Sequence, residues 1–364
     1  MVGVSLWLLN TPLCKEGINM FKIQLQNLPM LFEHLAQNAD VFAPLRRGNE
    51  LNFEKWNEKA ILDLESLKTV NTPKDLFLPQ AESLYQATLK GTKISINHVT
   101  PFDKTMVLFG VKGCDVAAIE VLDNVYLTGQ FVDEFYKARR EATTIISLAC
   151  ANPGKTCFCG AFDIDASQPK GDVTSWIFGE YVYFRAGNKK GEDFIEGIKH
   201  LLSQANEADI APLQADIAAK THALPYSDIC LDKFTPENMM KLFNDEEWNN
   251  LYRPCIGCGT CTYVCPTCQC YDIRDQQLKS GEIQRFRCWD SCMYPDFTLM
   301  AHGNPRFTQK ERFRQRFMHK LLYHPEKYEG QFGCVGCGRC VNKCPVSLNI
   351  LKVIKSLGGG ENVQ

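Results

Sequence analysis

The chain has 364 residues, of which 45% are hydrophobic, so it is long enough to bury the cores of two domains. Its 18 cysteines lie mostly in closely spaced runs of a large chain. That pattern argues against a small secreted disulfide scaffold and favours metal thiolates in a reducing, cytoplasmic compartment. The net charge is −2, but residues 255–364 hold 15 Lys and Arg against 9 Asp and Glu. No nucleic-acid-binding motif accompanies this excess, so we expect no nucleic-acid partner and interpret the positive charge as compensation for anionic groups.

Residues 1–19 have the pattern of an extension rather than of a targeting signal. Their apolar stretch, MVGVSLWLLN, is about ten residues long and lacks a basic start and a small-residue cleavage site. Met20 opens a sequence typical of the start of a domain, so we hypothesise that the extension is disordered or comes from an upstream start codon. No later stretch approaches the roughly twenty apolar residues of a membrane helix, and we expect no membrane contact.

Residues 20–230 have the pattern of an α/β domain. Short apolar, β-branched runs predict buried strands at 105–111, 143–150 and 182–187. Between the first two strands, residues 115–127 are apolar at helical spacing, with Asp115 at the start of the helix. A second amphipathic helix is predicted at 192–205, and we expect Pro212 to interrupt the Ala-rich helix that follows.

The sequence becomes more polar near Cys230, where we place the boundary to a second domain, residues 231–364. Helices are predicted at 236–251 and 309–324, while strand-like alternation nearly vanishes. The internal repeat of this region is a cysteine motif, which reads CIGCGTCTYVCP in its first copy and CVGCGRCVNKCP in its second.

Both copies read C-x2-C-x2-C-x3-C-P, the spacing of bacterial ferredoxin-type [4Fe–4S] sites. In such sites the first three cysteines of a run hold one cluster, and the fourth points away and holds the other. The predicted ligands are Cys255, Cys258, Cys261 and Cys344 for one cluster, and Cys334, Cys337, Cys340 and Cys265 for the other. The long insertion between the runs leaves room for helices. We therefore expect an α/β N-terminal domain followed by a mainly α-helical ferredoxin-like dicluster domain.

Structural zinc is the alternative to iron and sulfur, since pairs of C-x-x-C knuckles build tetrahedral zinc sites. A zinc site would leave the third cysteine of each run and the Cys-Pro unexplained, so we favour two [4Fe–4S] clusters. Four further cysteines lie in the insertion, and either another cluster or packing in the core would account for them. They are Cys268, Cys270, Cys288 and Cys292.

Taken together, CIGCGTCTYVCPTCQCY, WDSC and GCVGCGRCVNKCP resemble the iron–sulfur subunit of anaerobic sulfite reductase and the beta subunit of cytoplasmic NADP-linked [NiFe] hydrogenases. The likeness extends upstream to FGVKGCDVAAIEVLDNVYL and ACANPGKTCFCG, and so covers most of the chain from Met20. It implies an electron-transfer subunit of an anaerobe, with no enzyme activity on its own. Such subunits lie between a flavin subunit that oxidises NAD(P)H and a catalytic subunit of the sulfite reductase, hydrogenase or heterodisulfide-reductase type.

The N-terminal region contains four cysteines that could hold a third [4Fe–4S] cluster. Cys114 follows one predicted strand and Cys150 ends another, and the carboxyl ends of parallel strands share one edge of a sheet. Cys157 and Cys159 lie in a short loop just beyond. We expect such a cluster to lie at an exposed sheet edge. The alternative is that some of these cysteines only pack in the core.

Motifs that are present or missing elsewhere in the sequence help to choose between the possible functions. No G-x-G-x-x-G or P-loop is present, so the electrons should come from a separate flavin subunit. A catalytic subunit of a disulfide reductase or a 2-hydroxy-acid oxidase is the other class, but the Cys-Cys-Gly motif expected of it is missing. The basic run from Arg306 to Lys320 is either a solvated helix face or a surface that docks a partner or tunes a cluster. Cys14 and Cys230 belong to no motif.

Overall fold

The computed structural model describes residues 19–66, 69–99 and 102–358. Cys14 and all but the last residue of the expected extension lie outside these ranges. The strands described there, β1 to β13, are Met20–Gln24, Asp40–Arg47, Glu50–Lys55, Ile61–Leu62, Ala81–Lys90, Lys93–His98, Met106–Val111, Thr143–Leu148, Val173–Phe178, Tyr181–Ala186, Ser203–Ala205, Tyr271–Gln277 and Glu282–Trp289. The α-helices of the same ranges, α1 to α13, are Leu28–Ala36, Lys74–Phe77, Gly113–Tyr126, Glu134–Ala142, Lys189–Ile198, Ala211–His222, Met239–Phe243, Trp248–Leu251, Thr260–Tyr263, Gln309–Met318, His324–Lys327, Arg339–Lys343 and Ile350–Gly358.

Nine of the described strands form one sheet, in the order β11-β1-β10-β9-β8-β7-β2-β3, with β4 beside β2. Its centre is parallel, since β2, β7, β8 and β9 run in the same direction, and the outer pairs are antiparallel. β7 and β8 are buried along their whole length, which explains their unbroken apolar and β-branched sequences. The three strands expected from the sequence are confirmed as β7, β8 and β10.

Helix α3 connects β7 to β8, which confirms the predicted order of strand, helix and strand. Its buried face carries Val116, Ile119 and Leu122. These side chains pack in one cluster with Leu108 of β7 and Ile145 of β8. The apolar spacing of the helix therefore reflects burial against the parallel centre of the sheet.

Two helices differ from their predicted form. The helix predicted at 192–205 is α5, which ends at Ile198, and the last predicted residues form β11 instead. Pro212 does not interrupt α6 but lies in its first turn. The backbone N–H groups of a first turn have no hydrogen-bond partner within the helix, so proline, which lacks an N–H, is tolerated there. Across the described ranges, no helix combines the length and the hydropathy that crossing a bilayer requires.

Beyond Cys230 the chain is helical only in part. α10 confirms the start of the helix predicted at 309–324, and a capping box begins it. There the Glu311 carboxylate accepts the Thr308 N–H at 2.7 Å, and the Thr308 hydroxyl oxygen accepts the Glu311 N–H at 3.4 Å. A single π turn at His319–Tyr323 carries the chain on to α11. The segment 236–251 holds a 3-10 turn at Pro236–Asn238 and the short helices α7 and α8 in place of one continuous helix.

The hairpin of β12 and β13 was not expected from the sequence. It pairs with β5 and β6 in a four-stranded sheet of the order β12-β13-β5-β6. Most side chains of β12 are exposed, so no apolar alternation marks that strand in the sequence. The expectation of a mainly α-helical C-terminal region missed this hairpin.

Arg287 joins the C-terminal hairpin to the N-terminal region. It is 4% exposed in β13, and its Nε donates to Glu82 Oε2 on β5 at 2.7 Å. Its guanidinium also pairs with Asp133, which caps α4 by accepting the Tyr136 N–H at 2.8 Å. The domain boundary near Cys230 stays a prediction, and this ion-pair network crosses it.

We predict that Arg287→Met lowers the free energy of unfolding by about 3 kcal/mol, because it leaves the buried Glu82 with Arg139 as its remaining ion-pair partner and Asp133 without a cation. The control is Arg285→Met on the same strand, whose partner Asp275 is exposed, and it should change stability little. Urea unfolding of the anaerobic protein measures both. Equal effects of the two substitutions would contradict the role given to Arg287.

Candidate metal centres

The first cysteine run folds as a loop with two glycines in left-handed backbone. Gly257 has φ 66° and Gly259 has φ 72°, values at which other L-residues are strained. The Gly257 N–H donates to Sγ of Cys255 at 3.4 Å. Helix α9 begins directly after Gly259 and leads to the last cysteine of the run, Cys265, which is buried, whereas Cys258 is exposed. The loop thus brings Cys255, Cys258 and Cys261 to one cavity and Cys265 to another.

The second cysteine run lies in backbone contact with the N-terminal region. A Cβ added to Gly336 would lie 2.4 Å from the carbonyl oxygen of Phe158, and one added to Gly338 would lie 2.2 Å from that of Thr156. The Phe158 N–H donates to the carbonyl oxygen of Gly336 at 2.9 Å. Glycine is therefore required here by close approach as well as by its positive φ.

Two cavities of the C-terminal region each bring together cysteines of both runs. The first cavity is lined by Cys255, Cys258, Cys261 and Cys344. The second cavity is lined by Cys265, Cys334, Cys337 and Cys340. This is the grouping that crossed ligation requires, although the identity of the ligands stays a prediction. In the described part of the chain, no three His, Cys, Asp or Glu side chains lie close enough to hold a single metal ion, whereas a cubane distributes its thiolates over four irons.

A third cavity lies where β7 and β8 end. It is lined by Cys114, Cys150, Cys157 and Cys159, the four N-terminal cysteines singled out in the sequence. The expectation of an exposed sheet edge is wrong for Cys157 and Cys159, which are buried. The physical reason is that the second cysteine run lies on the loop that carries them. Burial, with Asp115 and Cys337 nearby, raises the pKa of the Cys114 thiol, and a bound cation would favour its thiolate form.

The three cavities adjoin one another in a row. Cys337 lines both the second and the third cavity, and Arg316 lines both the first and the second. At the third cavity, the buried guanidinium of Arg339 donates to the two carboxylate oxygens of Asp115 at 2.6 and 2.7 Å. Arg339 thereby fixes α12 of the second run to α3 of the sheet domain.

Three buried basic side chains without carboxylate partners lie at the second cavity, where Arg316 and Lys320 line it, or beside it, where Lys74 donates to the carbonyl oxygen of Cys265. Lys74, Arg316 and Lys320 are 3%, 3% and 6% exposed, and no carboxylate among the described residues lies within ion-pair distance of them. Burying an uncompensated charge costs several kcal/mol, so such a site calls for an anion. A cubane with four thiolates is net negative. The charge of this site therefore fits iron–sulfur clusters.

Arg316 is placed between the two C-terminal cavities. Its Nη2 donates to the carbonyl oxygen of Cys261 at 2.8 Å and its Nη1 to Sγ of Cys268 at 3.4 Å, while the buried Nε has no partner among the described residues. Burial by itself lowers the pKa of Arg316, but the cysteine sulfurs around it raise that pKa above the usual arginine value. The guanidinium is thus held charged between the cysteine sulfurs of the two cavities.

Lys74 and Lys320 enclose the segment that follows the first run. Lys74 Nζ donates to the carbonyl oxygens of Cys265 and Cys268 at 3.1 and 3.0 Å and lies 3.7 Å from the ring centroid of Trp289. Lys320 Nζ donates to the hydroxyl of Thr267 at 2.6 Å. These bonds fix the backbone on which Cys265 and Cys268 stand.

The basic side chains between Arg306 and Lys320 differ in how deeply they are buried. A fully solvated helix face is wrong at Arg316 and Lys320, which are buried against the cavities. Arg312 and Arg314 are half-buried and donate to backbone carbonyl oxygens. Sequence reasoning missed Lys74 altogether, because it lies in α2, far along the chain from any cysteine motif, and carries no local signal.

The four cysteines of the insertion do not line any of the three cavities. The Cys268 sulfur accepts a hydrogen bond from Arg316 Nη1 at 3.4 Å, and Cys292 is buried. Cys288 lies within β13, opposite Asp272. A shared cluster of all four is therefore not what the arrangement favours.

Comparison with known proteins gives two findings. Residues 254–348 match the family described as 4Fe-4S dicluster domain. Over 343 residues, the chain is 32% identical to sulfhydrogenase 2 subunit beta of Pyrococcus furiosus, and the match covers 93% of this chain and 98% of that protein. The domain match includes both cysteine runs, and the relative extends the similarity through the N-terminal sheet.

We predict that Cys344→Ser damages the cluster built on the first run, because crossed ligation would make Cys344 its fourth ligand, beside Cys255, Cys258 and Cys261 of the same cavity. About four irons should be lost per chain, with the electron paramagnetic resonance signal of one cluster. Cys230→Ser, at an exposed cysteine outside every motif, is the matched control. Loss of the signal of the second-run cluster instead would mean local rather than crossed ligation.

Proposed function

The chain belongs to the family of hydrogenase beta subunits with a 4Fe–4S dicluster domain, and from this premise we propose that it relays electrons within an oxidoreductase complex. The donor is a flavin subunit that oxidises NAD(P)H, and the acceptor is a catalytic redox subunit of the hydrogenase or sulfite reductase type. Bound [4Fe–4S] clusters would supply one-electron chemistry. The single observation that carries the proposal is the continuous row of three cysteine-lined cavities.

The third cavity is proposed to hold a third cluster. Support comes from its donor set of four thiols and from Lys112, which also lines it, whereas the charge of Arg339 is balanced there by its ion pair with Asp115. The Nε of Arg339 is buried and has no partner among the described residues, so it is a donor available to an anionic group in the cavity.

The two ends of the row reach the surface at different places. At the first cavity Cys258 is exposed, and Ile256 beside it is 63% exposed. At the third cavity Pro153 belongs to the lining, and the loop residues around it are exposed or half-buried. We place the flavin partner at the third cavity and the catalytic partner at the first, so that electrons pass through the second cavity.

The isolated chain should not oxidise NAD(P)H but should accept electrons from it once the flavin subunit is added. Hydride donors need a flavin to split the electron pair, and the sequence contains no dinucleotide fingerprint. The measurement is anaerobic bleaching of the visible absorbance, with dithionite as the positive control for reducible clusters. Bleaching by NADPH alone, without flavin or partner, would refute the proposal.

Cys157→Ser should lower the iron content from about twelve to about eight per chain and slow reduction by the flavin subunit. It should leave reduction by dithionite of the two C-terminal clusters intact. Cys230→Ser again serves as the control. An unchanged iron content would show that the third cavity holds no cluster. An unchanged rate of reduction by the flavin subunit would show that this subunit docks elsewhere.

A further inference from the structure

On the basis of the proposed function, we propose that Lys320 and Arg316 raise the reduction potential of the cluster in the second cavity above those of its neighbours. The middle of the row then stores one electron. Both side chains line the second cavity, and both are buried. A buried positive charge favours the reduced state of an anionic cluster, because reduction makes the cluster more negative.

The Lys320 ammonium lies between the two cysteine runs. Its Nζ donates to the Thr267 hydroxyl at 2.6 Å and to the carbonyl oxygen of Gly333 at 2.9 Å. The same hydroxyl lies 3.3 Å from Sγ of Cys265, and Gly333 directly precedes Cys334. The charge is therefore separated from a sulfur of the first run by a single hydroxyl, and it contacts the residue at which the second run begins.

The backbone of Lys320 is fixed at the same place. Lys320 belongs to the π turn His319–Tyr323, and its carbonyl oxygen accepts the Gly333 N–H at 2.8 Å. A Cβ added to Gly333 would lie 3.2 Å from Cα of Lys320, so a side chain there would press on the turn. The main chain and the side chain of Lys320 therefore both hold it at the second cavity.

Arg316 lies at two cavities at once. It lines the first and the second, and its Nη2 donates to the carbonyl oxygen of Cys261 at 2.8 Å. At the first cavity Cys258 is exposed, so water screens the charge there, whereas Cys265 and Cys337 of the second cavity are buried. We expect Arg316 to act on both clusters, and more strongly on the second.

The buried positive charge at the third cavity is smaller. Arg339 lines that cavity but is paired with the buried Asp115, so Lys112 remains as the other basic side chain among the described residues of the lining. The second cavity has two basic side chains without a carboxylate partner in the described part of the chain, and Lys74 donates to the carbonyl oxygen of Cys265 beside them. The balance of buried charge therefore favours the highest potential at the second cavity.

A higher potential in the middle of the row changes how electrons pass along it. Oxidation of NAD(P)H at the flavin releases two electrons, which the row accepts singly. The first electron makes the core at the second cavity more negative by one charge, with no bond made or broken and no proton transferred. The next electron then reduces a cluster at an end of the row. The second cavity thereby keeps one electron until the next arrives.

The test is a redox titration of the anaerobic full chain, read by electron paramagnetic resonance. The signals lost in Cys344→Ser and in Cys157→Ser identify the first and the third cluster, and the remaining signal belongs to the second. We expect the second cluster to be reduced first, with an equilibrium constant for reduction that exceeds those of its neighbours roughly tenfold or more, about 59 mV for one electron. Reduction of either outer cluster before the second would overturn the proposal.

Substitutions of the two basic side chains separate their roles. Lys320→Gln removes the charge but keeps an N–H donor, and it should lower the equilibrium constant for reduction of the second cluster roughly tenfold without changing the outer clusters. Arg316→Gln should lower that constant for the first and the second cluster together. Lys320→Arg, which keeps the charge, should retain the wild-type potential. If Lys320→Gln loses its cluster absorbance, the order of potentials in the wild type decides alone.

Lys327→Gln is the matched control. Lys327 ends α11, just beyond the π turn, and is exposed, so its substitution changes the net charge equally but at a site that water screens. All potentials should stay as in the wild type. Equal shifts in Lys320→Gln and Lys327→Gln would attribute the effect to net charge, and equal shifts in Lys320→Gln and Lys320→Arg would attribute it to altered packing. Either result would overturn the proposal.

The outcome is separable from that of the proposed function. Iron analysis and reduction by dithionite show first whether the chain holds reducible clusters, and a chain without iron would contradict the relay as well. Reducible clusters whose highest potential lies outside the second cavity would contradict only the role of Lys320 and Arg316. If the third cavity holds no cluster, the comparison of the first with the second still decides.

Discussion

The constraint on which the rest of the structure depends is the positive charge buried around the second cavity. Lys74, Arg316 and Lys320 come from two helices and a π turn and lie together without a carboxylate partner among the described residues. Three such charges in a core are tolerable only when an anion of similar charge lies among them. Thiolate-ligated clusters meet that requirement, so the folding of this region and the binding of its cofactors are expected to be coupled.

The same constraint explains why the two parts of the chain are packed so closely. Lys74 belongs to the N-terminal region yet donates to the carbonyl oxygens of Cys265 and Cys268. The buried Asp115–Arg339 pair and the backbone contact of Gly336 with Phe158 bring the second and third cavities side by side. Electron transfer over the row of cavities needs such short separations, and a flexible linker between two independent domains would not maintain them.

Much of the architecture could be predicted from local sequence signals. The unbroken apolar runs of β7 and β8 and the helical spacing of α3 identify the parallel centre of the sheet, and the repeated cysteine motif identifies the two sets of thiols. The β12–β13 hairpin could not be predicted, because the side chains of β12 are mostly polar and exposed and β13 pairs with β5, nearly two hundred residues earlier in the chain. Lys74 was missed for a related reason, since a buried lysine has meaning only once its distant partners are known.

Anomalous X-ray diffraction at the iron absorption edge, from crystals of the anaerobically prepared chain, tests the central claim most directly. The account predicts three compact iron peaks in a row, the first among Cys255, Cys258, Cys261 and Cys344, the second among Cys265, Cys334, Cys337 and Cys340, and the third among Cys114, Cys150, Cys157 and Cys159. The middle peak should lie against Arg316 and Lys320. A peak surrounded by Cys255, Cys258, Cys261 and Cys265, or single zinc ions in place of iron, would contradict it.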